Sequence, residues 1–288
     1  MLLFIIFTTL YCLAVSASRL DNATIQARDR SFTFDNVFWV SGGTWACKEK
    51  RISELNNAID EARAVTQLAV QALRKPGSEK SEAYKTWFGK GNASPEIKNS
   101  ILKNNYEALL RNLVRPTSRT YYDRHEQIPF PKLSNNPKTV TTQSLVFACP
   151  PEEQQMCHRG SDAFVISAKE TWDYTGTTFL AMCPDFFGRE KAMAEQAAEW
   201  RHNRKMRREI PRSIILIHEF QHMARATGFD NHRTDVQDPW SRGNCYSPEC
   251  CQNIPDESKI RNAENYGRFA AHVYTWPKTI KKRFMRRA

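Results

Sequence analysis

Residues 211–226 read PRSIILIHEFQHMARA. Within them, His218-Glu219-Phe220-Gln221-His222 sets two histidines four residues apart, with a glutamate beside the first. On a helix this spacing puts both imidazoles on one face, where two neutral rings can bind a single metal ion. The apolar run SIILI ahead of His218 predicts a helix that presents the pair from a buried core. Pro211 suits the first helical position and Gly228 marks a stop, so the helix is expected over 211–226. Glu219 is placed to take a proton from water held at such a centre. The expected cofactor is one Zn2+ per chain, with His218 and His222 as ligands and Glu219 as base.

A third protein ligand must come from elsewhere. The longer H-E-x-x-H-x-x-G-x-x-H pattern does not continue, because Gly228 stands six residues after His222. Asp230, His232, Asp235 and Asp238 follow in the next loop, and Glu264 and His272 lie on the last expected helix. Chemistry alone allows any of them.

Outward from the motif, the chain divides into segments. MLLFIIFTTLYCLAVSAS carries no charge before Arg19 and ends in small residues, so residues 1–17 are expected to be a signal peptide and the protein secreted and extracellular. No later run is long and apolar enough to span a bilayer. Lys and Arg number 42 against 31 Asp and Glu, a net charge of +11, and residues 278–288 form a basic tail. No nucleic-acid module accompanies that charge, which fits a solvated basic surface. Of eight cysteines, Cys12 lies in the expected signal. The remaining Cys47, Cys149, Cys157, Cys183, Cys245, Cys250 and Cys251 are odd in number, so disulfides with one thiol left over are expected. Cys250 and Cys251 are adjacent and should reach different partners. Asn22-Ala-Thr and Asn92-Ala-Ser are glycosylation sequons, which predicts two exposed asparagines.

Residues 18–135 read as a strand followed by helices. SFTFDNVFWV alternates like a strand, residues 51–75 carry helical apolar spacing closed by Pro76-Gly77, and 99–113 reads as another helix. This half is either a propeptide or the helical part of one domain. RPTSRTYYDRHEQIPFPKLSNNPK reads as a loop. Residues 136–277 hold the chemistry. There TVTTQSLVFAC, DAFVISA and TTFLAMCPDFF read as strands, 188–210 as a charged helix and KIRNAENYGRFAAHVYTW as the last helix.

Four pieces in order, over residues 145 to 275, carry a resemblance to the aspzincin metalloendopeptidases, the deuterolysin and lysine-specific metalloendopeptidase family of secreted fungal enzymes. They are TTFLAMCPDFF, LIHEFQH, CYSPECCQNI and NAENYGRFA. The resemblance implies a zincin-like α+β fold, with a small antiparallel-rich sheet and an active-site helix, after a mostly helical N-terminal half. It implies His218 and His222 as zinc ligands, an aspartate as third ligand, Glu219 as base and a tyrosine near the oxyanion. Tyr246 matches that tyrosine, with Ser247 where the family has glycine. The family's aspartate stands three residues before the tyrosine, but Gly243 occupies that place here. Asp235 is chosen because Thr234 precedes it as in the family; Asp238 is the alternative and Asp230 comes third. An insertion, VQDPWSRGN, would separate ligand from tyrosine. The expected activity is hydrolysis of a protein or peptide substrate by a monomer. The alternative is a catalytically inactive secreted effector or binding protein that keeps the fold.

Overall fold

The computed structural model describes residues 33–122, 140–141, 143–158, 160–166, 177–228 and 230–277. The expected signal peptide, the Asn22 sequon, the basic tail and most of the loop read over 115–138 lie outside the described residues.

Five strands form one sheet in the order β2-β1-β3-β5-β4. They are β1 (Asn36–Gly42), β2 (Ser118–Tyr121), β3 (Ser144–Ala148), β4 (Ala163–Ile166) and β5 (Thr178–Met182). The expected antiparallel-rich sheet is corrected to a mixed one. β1 pairs in parallel with β2 and β3, β3 pairs in parallel with β5, and only β4 runs antiparallel, along β5. Parallel neighbours need a crossover. The helical N-terminal half supplies the one between β1 and β2, and both of its strands sit inside the same sheet as β3. β2 lies in a stretch that reads as loop, and β1 begins later than its alternation implies. Every residue of β3 and β5 is buried, as central strands covered on both faces require.

The two faces of the sheet feed different cores. Val37, Leu145, Phe147, Leu180 and Met182 join the main cluster, which also holds the helices. Phe38, Val40, Val146, Phe179 and Ala181 pack on the other face beneath Trp45 and Tyr122. The long helix Glu49–Arg74 buries Ile52, Leu55, Ile59, Ala62, Val65, Ala69 and Leu73, spaced three or four apart, so one stripe faces inward. That stripe packs against both the motif helix (Arg212–His222) and the closing helix (Ala263–Thr275). Glu61 of the long helix also accepts from Ser213 Oγ (2.6 Å) at the start of the motif helix. Residues 95–112 are helical throughout, but Ile101–Glu107 is a π-helical stretch between α-helical ends.

The motif helix is shorter than its sequence implies. It ends at His222, Met223 turns to extended backbone, and a separate short turn covers Ala224–Thr227. This break lets the following loop double back: Arg233 N donates to Gln221 O at 2.6 Å. Expected helices at 188–210 and 259–276 contract to Met193–Asn203 and Ala263–Thr275.

Three disulfides form, Cys47–Cys149, Cys157–Cys183 and Cys245–Cys250, and Cys251 remains a buried free thiol. Cys47–Cys149 joins the two halves of the chain across the sheet. The exposure expected of Asn92 is corrected. Its side chain is buried, and Nδ2, the atom a glycan would occupy, donates to Phe88 O (2.7 Å) and Asp256 O (2.6 Å). Among the described residues no helix is long and apolar enough to cross a membrane.

His272 faces inward on the closing helix, where Trp87 Nε1 donates to its Nδ1 at 3.1 Å. Burial pulls its pKa from 6.5 down to about 4. An indole N–H can only donate, so Nδ1 must stay unprotonated to receive it. Between those two pH values the unfolded chain binds the extra proton and the folded chain does not. The contribution is therefore complete above pH 6.5 and lost as pH falls toward 4. Urea unfolding of wild type and His272→Gln at pH 7 and pH 4.5 checks this. The wild type should lose about 2–3 kcal/mol more than the variant over that interval.

Candidate metal centre

The motif helix carries His218 and Glu219 with 6% exposure each, and His222 one turn further on. One ligand atom from each of His218, Glu219 and His222 lies within 4.8 Å of the others, a geometry suited to a single Zn2+. The two Nε2 atoms stand 3.0 Å apart. Asp235 brings Oδ1 to 3.3 Å from His218 Nε2 and 3.5 Å from His222 Nε2. Glu219 Oε1 is further off, 3.9 Å from His218 Nε2.

The other ring nitrogens are already committed. His222 Nδ1 lies 2.7 Å from the Arg233 carbonyl, which can only accept, so Nδ1 carries the proton. His218 Nδ1 lies 3.0 Å from Glu264 Oε2 and donates likewise to a carboxylate. With both Nδ1 protonated, the two Nε2 atoms face each other and Asp235 Oδ1, and in the neutral rings each would present a lone pair there. That oxygen is buried and, among the described residues, has no hydrogen-bond partner. Three electron-pair donors this close repel unless a cation or a proton joins them. A tetrahedral zinc with bonds near 2.0–2.1 Å separates its ligand atoms by about 3.3 Å, close to the distances found.

The charges answer to the same geometry. Burial works against charge on His218, but the carboxylates of Asp235, Glu264 and Glu219 outweigh it and hold its pKa well above the ordinary histidine value. Burial also works against charge on Asp235, yet the two imidazoles hold it far below the usual carboxylate range. Burial raises Glu219, only partly offset by the histidines. Burial and the Asp235 charge raise Tyr246, so its phenol keeps its proton. Tyr246 OH donates to Asp235 Oδ2 at 2.8 Å and accepts from Asn244 Nδ2 at 2.9 Å.

The sequence candidates separate cleanly in space. Asp235 joins the histidines. Asp238 is turned to its own loop, where its carboxylate accepts from Trp240 N and Ser241 Oγ, both at 2.9 Å. Asp230 is exposed. His272 is bound to Trp87 as described, and Glu264 orients His218 from behind. Among the described residues, Asn262 makes its side-chain hydrogen bonds to Val236, Cys245, Cys251 and Asn265. Its Oδ1 receives Val236 N at 3.2 Å and so fixes the residue after Asp235.

Arg268 is the residue that the motif reading passes over. It is fully buried, and Nε donates to Glu264 Oε1 at 2.6 Å. Its other nitrogens donate to the carbonyls of Arg207 (2.6 Å), Arg208 (2.9 Å) and Tyr246 (2.9 Å). The signal was present as an acid and a base four residues apart on the last helix. A cavity of about 750 Å³ opens over the centre. Its walls include the start of β4 at Asp162 and Ala163, His218 and Glu219, and the loop carrying Asn244 and Tyr246.

No family model matches the sequence, and no curated protein sequence matches it. Among solved structures, the chain is similar to a zinc peptidase from Grifola frondosa. The two share 16% identity with a TM-score of 0.45, over 78% of this chain and 97% of that one.

Replacing Glu264 with Ala leaves Arg268 charged, buried and short of its counter-ion. The expected cost is about 3–5 kcal/mol in urea unfolding. A loss under about 1 kcal/mol would show that the pair does not anchor the centre.

Proposed function

We propose that the protein is a secreted zinc endopeptidase of the aspzincin type. His218, His222 and Asp235 hold the metal, Glu219 is the base, and Tyr246 donates to the oxyanion. One observation carries the reading. Two imidazole Nε2 atoms and one orphaned carboxylate oxygen converge, with both Nδ1 atoms already engaged on Glu264 and Arg233. Asp235 is preferred to Glu219 as third ligand because its oxygen is nearer to both rings. That choice leaves the Glu219 carboxylate free for proton transfer.

When bound, zinc lowers the pKa of water and polarises a peptide carbonyl. The chain's own residues do the rest. Glu219, its pKa raised by burial, takes the proton from the attacking water and passes it to the leaving amine. Tyr246 keeps its proton and, on exchanging its hydrogen bond to Asp235 Oδ2 for one to the substrate, donates where negative charge develops on the carbonyl oxygen. Among the described strands β4 lies at the edge of the sheet, beside the motif helix, and that position suits an extended substrate backbone by strand addition. The N-terminal half belongs to the same domain in this reading: it supplies two strands of the sheet and the long helix behind the motif. Three disulfides fit an oxidising, extracellular setting.

Elemental analysis of the desalted protein should find about one zinc per chain. Asp235→Ala should lose it, while Asp238→Ala keeps it. Glu219→Gln should retain zinc and lower hydrolysis of a denatured protein by about 10²–10⁴-fold. Equal cleavage by wild type and Glu219→Gln would overturn the catalytic reading. Full zinc affinity in Asp235→Ala would overturn the ligand assignment.

A further inference from the structure

The second histidine is oriented by a backbone carbonyl, not by a side chain. His222 Nδ1 donates to Arg233 O, and residue 233 lies in a loop outside any helix or strand. Something must hold that carbonyl in place. Arg233 N donates to Gln221 O, which ties the loop to the motif helix by its backbone. The Arg233 guanidinium also lies over the Tyr266 ring, 5.3 Å from its centroid, and three side-chain hydrogen bonds join the loop and the motif helix to one residue from the other half of the chain, Asn105.

Asn105 lies within the π-helical stretch Ile101–Glu107 and is fully buried. Nδ2 donates to Gln221 Oε1 at 2.8 Å and to Asn231 O at 3.1 Å, and Oδ1 accepts from Arg233 Nη2 at 3.0 Å. Its orientation is forced from both sides. A carbonyl such as Asn231 O can only accept, and a guanidinium can only donate. The amide therefore cannot flip, and Gln221 must present its oxygen. Asn105 thus grips the motif helix between Glu219 and His222, and the loop on both sides of His232. A π-helical turn is rare and recurs at functional sites; here the extra residue falls on the helix that delivers this amide.

We infer that Asn105 is a positioning residue of the metal centre: through Gln221, Asn231 and Arg233 it fixes the carbonyl that sets the tautomer and direction of His222. Groups behind a metal-bound histidine commonly change metal affinity by 10–100-fold. The N-terminal half then helps to build the centre and cannot act as a removable cover for it. The zinc part of this inference rests on the function proposed above; the orientation of His222 does not.

The test uses the full-length mature protein carrying Asn105→Ala, with Asn105→Leu as a variant of retained volume. Asn112→Ala is the control. Asn112 is buried on the same helical run but accepts from Phe34 N, away from the histidines. Two readouts are taken. Zinc affinity is measured by chelator competition, and the imidazole N–H resonances are recorded by NMR on metal-free protein. The Asn105 variants should weaken zinc about 10–100-fold and lose or shift the hydrogen-bonded Nδ1–H signal of His222. Asn112→Ala should lower thermal stability with both readouts unchanged. If Asn105→Leu folds with an unshifted His222 signal and wild-type zinc affinity, Asn105 only fills space and the inference fails. If wild type itself binds no zinc, the proposed function fails, while the NMR readout still decides whether Asn105 directs His222.

Discussion

The centre depends on a buried charge pair that touches no metal. Glu264 and Arg268 stand one turn apart on the closing helix, both nearly excluded from water. A guanidinium in such a place is costly unless every donor finds an acceptor. Arg268 finds four oxygens, one from Glu264 and three from backbone carbonyls. Glu264 then has its second oxygen free for His218. One helix face thus fixes the first histidine and also the backbone of Tyr246. Close approach of the two helices is a condition of this arrangement. At Gly267 an added Cβ would meet Ile214 Cγ2 of the motif helix at 3.0 Å and its carbonyl at 3.4 Å. Glycine lets Glu264 reach His218 without forcing the helices apart.

What could be read in the sequence was local. The histidine pair, the buried helix beneath it, the long apolar-striped helix and the strands β3, β4 and β5 each announce themselves over a few residues. A mixed sheet does not, because alternation and apolar runs mark a strand without saying which neighbour it takes or in which direction. β2 is four residues long inside polar, proline-rich sequence, too short for any period to show. The sequence predicts a longer motif helix because MARA is good helix sequence. Tertiary contacts decide otherwise, since the loop's return to Gln221 and His222 needs the chain to turn at Met223. Asn92 illustrates the same limit. Its sequon is a pattern of three residues, but its amide is spent on holding Phe88 and Asp256, which no window around it reveals.

Arg268 and Asn105 escaped for a related reason. Each acts through oxygens contributed by distant backbone, and backbone carbonyls have no sequence signature. Asn105 lies 116 residues from its partner Gln221. An asparagine in a helical stretch reads as an exposed polar position until a fold covers it. The resemblance pointed to residues that the fold gathers in one place, His218, His222, Asp235 and Tyr246, and was silent where support comes from elsewhere in the chain.

The stretch between Asp235 and Tyr246 is the clearest case of sequence distance without spatial consequence. Asp235 and Tyr246 are eleven residues apart, yet their side chains meet at 2.8 Å. The intervening chain folds back on itself: Cys245 N donates to Val236 O, Gln237 bridges Asn244, and Asp238 N donates to Gly243 O. Asp238, a rival for the ligand role in the sequence, uses its carboxylate to brace this loop through Trp240 and Ser241. Below the loop, both flanks of Asp235 are pinned. Thr234 pairs with Arg261 and Ala263, and Val236 N is received by Asn262. A loop closed at its base can lengthen at modest entropic cost while its first and last residues stay side by side. The eleven-residue separation is therefore absorbed above the centre. The carboxylate stays opposite the two imidazoles, with the tyrosine beside it.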